Sequence, residues 1–340
     1  MKNNKAKIKA IFSYLPEQKI SNDQLEQDYP NWNAQKISEK TGISIRGVSD
    51  ENECASDLGI KAAQRLFKSG ICNPEDTDFL LFCTQSPDHF LPTTACIIQD
   101  KLKLPTSCGA LDFNLGCSGF VYGLSIAKGL IETGTVQNVL LITAETYTKF
   151  IHPSDRKVRT IFSDGAAATL IHSEETNDEA IGPFIFGTDG RGAKNLIVPA
   201  GGLRQMRTPE TAVERETEKG VFRSDQNLYM DGPEIFNFTL KAVPKAVTAI
   251  LDKSQLEMKD VDYFVFHQAN KFVLNHLRRK TNIPKEKFCI NLDSYGNTVS
   301  STIPMALELA LQQGKIKNGY NVMIVGFGVG YSWASAIIKF

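Results

Sequence analysis

The chain has 340 residues, 38 basic and 38 acidic side chains, and 42% hydrophobic residues. Its length exceeds the roughly 250–300 residues that one hydrophobic core serves, which predicts two core units. With 25 glycines and 14 prolines the composition excludes collagen-like and disordered classes, and zero net charge gives no whole-molecule attraction for nucleic acid or acidic membrane. The N-terminus lacks the apolar run of a signal peptide, and no stretch approaches about 18 apolar residues. Seven scattered cysteines without C-x-x-C spacing argue against a disulfide framework or zinc site, and for reduced thiols in a cytoplasm.

In chain order, Asp78-Phe-Leu-Leu-Phe-Cys-Thr84 predicts a buried strand, followed by a helix over Thr94–Leu102. Ser107–Asn114 predicts a strand and Ser118–Thr133 a helix rich in Ala, Leu and Gly. Asn138–Thr143 and Ala166–His172 are further strands, and Glu174–Asp225 is charged and loop-rich. Apolar runs without alternation are what strands covered on both faces look like, and their alternation with helices predicts α/β layers.

The second half echoes the first. Asp262-Tyr-Phe-Val-Phe-His-Gln268 stands 184 residues after the Asp78 strand, and Asn321-Val-Met-Ile-Val325 stands 183 after Asn138-Val-Leu-Leu-Ile142. In each half a Leu/Ile-Pro step (Leu104-Pro105, Ile283-Pro284) precedes a strand and a glycine turn, Gly116-Cys117-Ser118 or Gly296-Asn297-Thr298. The expected organisation is a first half over 1–175, a loop-rich connection over 176–225 and a second half over 226–340.

A duplicated unit brings equivalent strand ends to one place, where Cys117, His267 and Asn297 are the reactive types. Cys117 lies in Leu115-Gly-Cys-Ser-Gly-Phe120, where a strand turns into a helix. A thiol at a helix N-terminus feels the positive end of the dipole, which predicts a lowered pKa. The other six cysteines read as small buried hydrophobes. His267 ends a strand, and Asn297 lies in a Gly/Ser/Thr-rich turn before a helix starting near Pro304. Asn is no base, so this set predicts a nucleophile with two hydrogen-bond donors holding a thioester or enolate oxygen. Gly326-Phe-Gly-Val-Gly-Tyr-Ser-Trp333 leaves no room for a βαβ unit, which excludes nicotinamide binding and favours a backbone N–H beside the nucleophile.

In order, Glu39-Lys-Thr-Gly-Ile43, Leu91-Pro92, Gly116-Cys-Ser-Gly-Phe120, Ser154-Asp-Arg156, Phe162-Ser-Asp-Gly-Ala166, His267-Gln-Ala-Asn270, Gly296-Asn-Thr298 and Gly326-Phe-Gly-Val-Gly330 span nearly the whole chain. This set resembles the 3-oxoacyl-acyl-carrier-protein synthase III family of the thiolase-fold superfamily. The resemblance implies duplicated halves in a layered αβαβα core and a homodimer. It implies that Cys117 takes an acyl group from acyl-CoA, and that His267 and Asn297 hold the thioester of malonyl-acyl-carrier protein during decarboxylation. The backbone N–H groups of Cys117 and Gly328 would hold the oxyanion. No metal or redox cofactor is implied.

The resemblance also carries Arg156, Gly232, Phe236, Asn270 and Leu91 as substrate-binding positions, Leu91 reaching across the dimer to the partner's acyl pocket. Leu is smaller than the Phe common there, which predicts acyl chains beyond two carbons. The family's CoA-gripping Trp is Lys36 here, with Trp32 four residues earlier, and an Arg beyond the His-Gln-Ala-Asn motif is Phe272. The family's Gly-Asn and Phe-Lys pairs appear as Gly232-Pro233 and Phe236-Asn237. An acidic carrier protein needs a local basic surface, for which Lys271, Arg278, Arg279 and Lys280 form one candidate and Lys149, Arg156, Lys157 and Arg159 another. Two other readings are a relative in a specialised pathway with a different primer and a catalytically silent dimeric scaffold; the intact Cys-His-Asn set speaks against the scaffold.

Overall fold

Runs of Val, Leu, Ile and Phe build two sheets in the computed structural model, which describes residues 3–340. The first sheet has the strand order Asn3–Tyr14, Gly165–Thr176, Asn138–Glu145, Phe79–Cys83, Gly109–Phe113. Its last three strands run parallel, and the other two pair antiparallel. The second sheet has the order Tyr263–Phe266, Asn321–Gly328, Ser332–Lys339, Ile181–Thr188. Here Tyr263–Phe266 is parallel to Asn321–Gly328, and the remaining pairs are antiparallel. A parallel bridge from Phe264 to Phe288 stands where the first sheet has Gly109–Phe113. Chance likeness among apolar strands does not reproduce both order and direction. The echo in the sequence is a structural duplication.

Helices Gly119–Glu132 and Thr302–Gln312 fill the space between the sheets. Phe120, Leu124 and Ile131 of one and Ile303 and Leu307 of the other share a buried cluster with Leu81 and Leu141 of the first sheet and Val265 and Ile324 of the second. Fully burying such a side chain is worth about 1.5–3 kcal/mol. The helix carrying Gly119 approaches its sheet so closely that a Cβ there would lie 2.3 Å from Cys83 Sγ. Ala55–Lys68 and Thr94–Leu102 cover the outer face of the first sheet. Gly232–Ser254 and Lys271–Lys280 cover that of the second. The layers are therefore αβαβα, as expected.

The division of the chain needs correction. Ile181–Thr188 is an edge strand of the second sheet, so we place the start of the second half near Ile181 rather than at 226. This strand lies in the stretch that reads as loop-rich, and Pro183 is tolerated in it because on an edge strand its missing N–H is not needed. Helix Gly232–Ser254 was likewise hidden by Gly232-Pro233 and Pro244. Asp231 caps it, accepting from the N–H of Glu234 at 3.0 Å, and a proline in the first turn removes only an N–H that has no helical partner.

Candidate active site

Corresponding strand ends converge where the two halves meet. Cys117 follows strand Gly109–Phe113, two residues before helix Gly119–Glu132, and is 4% exposed. His267 directly follows strand Tyr263–Phe266 and is 2% exposed. The end of strand Asn321–Gly328 touches both: the Phe327 ring packs edge-on against His267 at 5.4 Å between centroids, and Gly328 lies against Cys117. A Cβ at 328 would stand 2.7 Å from Cys117 Sγ, so any side chain there would displace the sulfur.

Asn297 is 3% exposed, in a turn that Gly296 opens at φ +66°. Its Oδ1 accepts from the N–H of Val299 at 2.9 Å, which leaves the amide NH₂ as a donor. That NH₂ lies 3.4 Å from the carbonyl of Ala269, two residues beyond His267. Val299 itself sits at φ +55°, a left-handed conformation costly for a β-branched residue, and packs in the same cluster as Cys117. The structure thus brings Cys117, His267, Asn297 and Gly328 into one neighbourhood.

The electrostatics differ from expectation at the nucleophile. Burial pushes the Cys117 thiol up to about 12, with Glu145 adding to the rise, against favourable backbone N–H groups of Val329 and of Cys117 itself. The helix dipole does not prevail, because the sulfur is cut off from water and the helix begins two residues later. Glu145 contributes little charge at neutral pH, since burial raises its own carboxyl to about 8. Burial alone lowers His267 to about 3, so the imidazole is neutral. Within the glycine loop, the N–H of Val329 favours the thiolate, and Gly328 provides the close approach.

Glu145 is missing from the residues that the sequence singles out, although an acidic residue closing the apolar strand Asn138–Glu145 was a visible signal. Its carboxyl meets the N–H of Gln85 at 3.0 Å, Ser86 Oγ at 3.1 Å and, from the turn that carries Asn297, Ser300 Oγ at 2.9 Å. Unfolded, it loses its proton near 4.5; folded, it keeps it to about 8. The folded chain binds more protons in that window, so stability falls as pH rises through it. Relative to Glu145→Gln, the wild-type unfolding free energy should therefore drop by about 1.4 kcal/mol per pH unit between roughly pH 5 and 8. Urea unfolding of both proteins across this range measures it; parallel profiles would mean that Glu145 is buried as an anion.

The remaining expected positions lie apart from this cluster or beside it. Asn270 caps helix Lys271–Lys280, accepting from the N–H of Val273 at 2.9 Å. Phe236, near the start of Gly232–Ser254, forms an aromatic group with Phe272 and His276. Arg156 is exposed at the start of a short helix, while Leu91 is 82% and Phe90 71% exposed on their loop. Of the basic residues, Lys271, Arg279 and Lys280 are exposed, but Arg278 is half-buried and donates to the carbonyl of Ile283 at 3.0 Å. It serves the end of its own helix. In the other cluster Lys157 pairs with Glu218, and Lys149 donates to the carbonyl of Glu51.

Comparison with known proteins identifies the family. Residues 111–190 match the 3-oxoacyl-[acyl-carrier-protein] synthase III model, and residues 251–340 match the model of its C-terminal part. β-Ketoacyl-[acyl-carrier-protein] synthase III of Clostridioides difficile is 38% identical over 337 residues, covering 99% of each chain. That of Caldanaerobacter subterraneus subsp. tengcongensis is 37% identical over 96% of this chain and 95% of its own. A crystal structure of a 3-oxoacyl-(acyl-carrier-protein) synthase III superposes with a TM-score of 0.97 at 50% identity, covering 99% of this chain and 100% of that one. The chain belongs to the 3-oxoacyl-[acyl-carrier-protein] synthase III family.

Proposed function

We propose that Cys117, His267 and Asn297 carry out a two-step decarboxylating condensation, as nucleophile and paired hydrogen-bond donors. The chain is a condensing acyltransferase of the β-ketoacyl-acyl-carrier-protein synthase III type, acting at the start of fatty acid biosynthesis. The observation that carries the assignment of roles is the placement of strand Asn321–Gly328, whose last residues touch the thiol on one side and the imidazole on the other.

In the first step Cys117 Sγ attacks the carbonyl carbon of an acyl-CoA, the S–CoA bond breaks, and the thiol proton leaves with the CoA sulfur. A neutral resting thiol fits this proton balance, because the proton has an acceptor only when substrate is bound. In the second step malonyl-acyl-carrier protein loses CO₂. The electron pair left behind forms an enolate, whose oxygen lies against His267 and the Asn297 NH₂. The enolate carbon attacks the acyl-Cys117 carbonyl, the resulting oxyanion is held by the N–H groups of Cys117 and Val329, and the Cys117 sulfur departs as a thiolate that takes a proton from water to restore the neutral thiol. Decarboxylation supplies the carbanion, so the reaction needs no metal or redox cofactor.

Acyl-CoA and an acidic acyl-carrier protein are the partners in this reading, with Lys271, Arg279 and Lys280 as docking cations and Arg156, Gly232, Phe236 and Asn270 near the CoA arm. In a homodimer Leu91 would reach the partner's acyl pocket. An exposed Phe90–Leu91 pair is a large apolar surface for a loop to leave uncovered. Two further buried methylenes could favour a longer primer by about tenfold. Incubation with an acyl-CoA series, read by intact-protein mass, should give one acyl adduct that extends beyond two carbons and disappears on adding malonyl-acyl-carrier protein. An adduct that persists would overturn the reading.

A further inference from the structure

His267 is buried with no solvent to set which ring nitrogen carries its proton. Its Nδ1 lies 2.7 Å from Thr302 Oγ1, and Thr302 Oγ1 lies 3.1 Å from the carbonyl of Val299. A hydroxyl has one proton to give, so these two neighbours compete for it. If the proton goes to the Val299 carbonyl, Oγ1 accepts from Nδ1–H, and Nε2 keeps a lone pair and cannot donate. If it goes to Nδ1, the opposite nitrogen is Nε2–H and can.

The 2.7 Å contact to Nδ1 serves either direction, and donation from Nε2, the role assigned to His267 above, requires the second arrangement. We propose that Thr302 is a positioning residue that donates to Nδ1 and holds His267 as the Nε2–H tautomer, ready to donate to the malonyl thioester oxygen. The proposal rests on the role assigned to His267 above. Thr302 is well placed to do this. It is 3% exposed, opens helix Thr302–Gln312 with an ordinary helical backbone, and its branched Cβ restricts the hydroxyl to few rotamers. The neutral imidazole that burial enforces is the form for which the choice of tautomer matters.

The same turn orients Asn297 by a parallel device. Val299 donates its N–H to Asn297 Oδ1, occupying the acceptor end of that amide and leaving the donor end free. Thr302 occupies the acceptor nitrogen of His267 in the same way. One short turn thereby presents two donors to one oxygen. In the sequence only a Ser/Thr-rich turn was visible; the contact joins residues 35 apart.

A test combines spectroscopy with half-reaction kinetics on the full-length enzyme. In ¹⁵N-histidine-labelled wild type, His267 should show the Nε2–H pattern, and in Thr302→Val that pattern should be lost. Malonyl-acyl-carrier-protein decarboxylation should slow at least about tenfold in Thr302→Val, more than acyl transfer to Cys117 slows, and Thr302→Ser should restore it. A wild-type spectrum of the Nδ1–H form would overturn the proposal without recourse to any variant. Full-rate decarboxylation by folded Thr302→Val, with His267→Ala slow, would overturn the assignment of Thr302 alone. Full-rate decarboxylation by His267→Ala would instead overturn the role of His267.

Discussion

Cys117→Ala should abolish both the acyl adduct and condensation while leaving the fold intact. The thiol, the nucleophile in the proposed mechanism, lies at the junction of strand Gly109–Phe113 and helix Gly119–Glu132 and faces the glycine of the opposing strand end. Removing the nucleophile from a covalent mechanism costs on the order of 10⁶ in rate, which takes turnover below detection. Alanine keeps the Cβ and deletes one buried sulfur, so the melting temperature should change little compared with that loss. Cys83 is the neighbour to watch, because it is fully buried beside this turn and burial holds its thiol well above the ordinary range. Intact mass and peptide mapping after incubation with acyl-CoA measure the outcome. An adduct on Cys83 or any other residue of the Cys117→Ala protein would show that the nucleophile has been misassigned.

His267→Ala and Asn297→Ala should separate the two half-reactions. In the proposed mechanism each removes one donor from the oxygen that becomes negative during decarboxylation, and one such donor is worth about 10²–10³ in rate, or roughly 3–4 kcal/mol. Acyl transfer to Cys117 does not develop charge at that oxygen and should slow much less. The burial of His267 makes the point sharper: an imidazole held near 3 is a poor base for a thiol held near 12, so its use lies in donation. Single-turnover acylation followed by mass, alongside CO₂ release from malonyl-acyl-carrier protein, gives both rates. Equal losses in the two steps would mean that His267 and Asn297 activate the thiol.

Much of this site is legible in the amino-acid order. Residue types that carry chemistry stand out at Cys117, His267 and Asn297 because each interrupts an apolar or glycine-rich context at the end of a strand. The repeat is legible because buried strands need unbroken apolar runs, and those runs recur about 184 residues apart. Helices that sit between two sheets must be small-residue-rich, which makes Gly119–Glu132 easy to place.

Less legible are features whose cause is a long-range contact. Strand Ile181–Thr188 reads as part of a loop-rich connection until the second sheet pairs with it, because pairing along one edge is what makes Gly182-Pro183 acceptable. Arg278 reads as a docking cation until the carbonyl of Ile283 takes its guanidinium. The sequence by itself determined the layered α/β class and the duplication, and singled out the three side chains of the proposed mechanism, since these follow from hydrophobic period and residue chemistry. Tertiary structure alone decided that the Cys117 thiol is raised rather than lowered, that the N–H of Val329 favours its thiolate, and that Glu145 and Thr302 lie beside Cys117 and His267. The reason is that desolvation and hydrogen-bond partners depend on which distant segments exclude water from a group, and no local pattern encodes that.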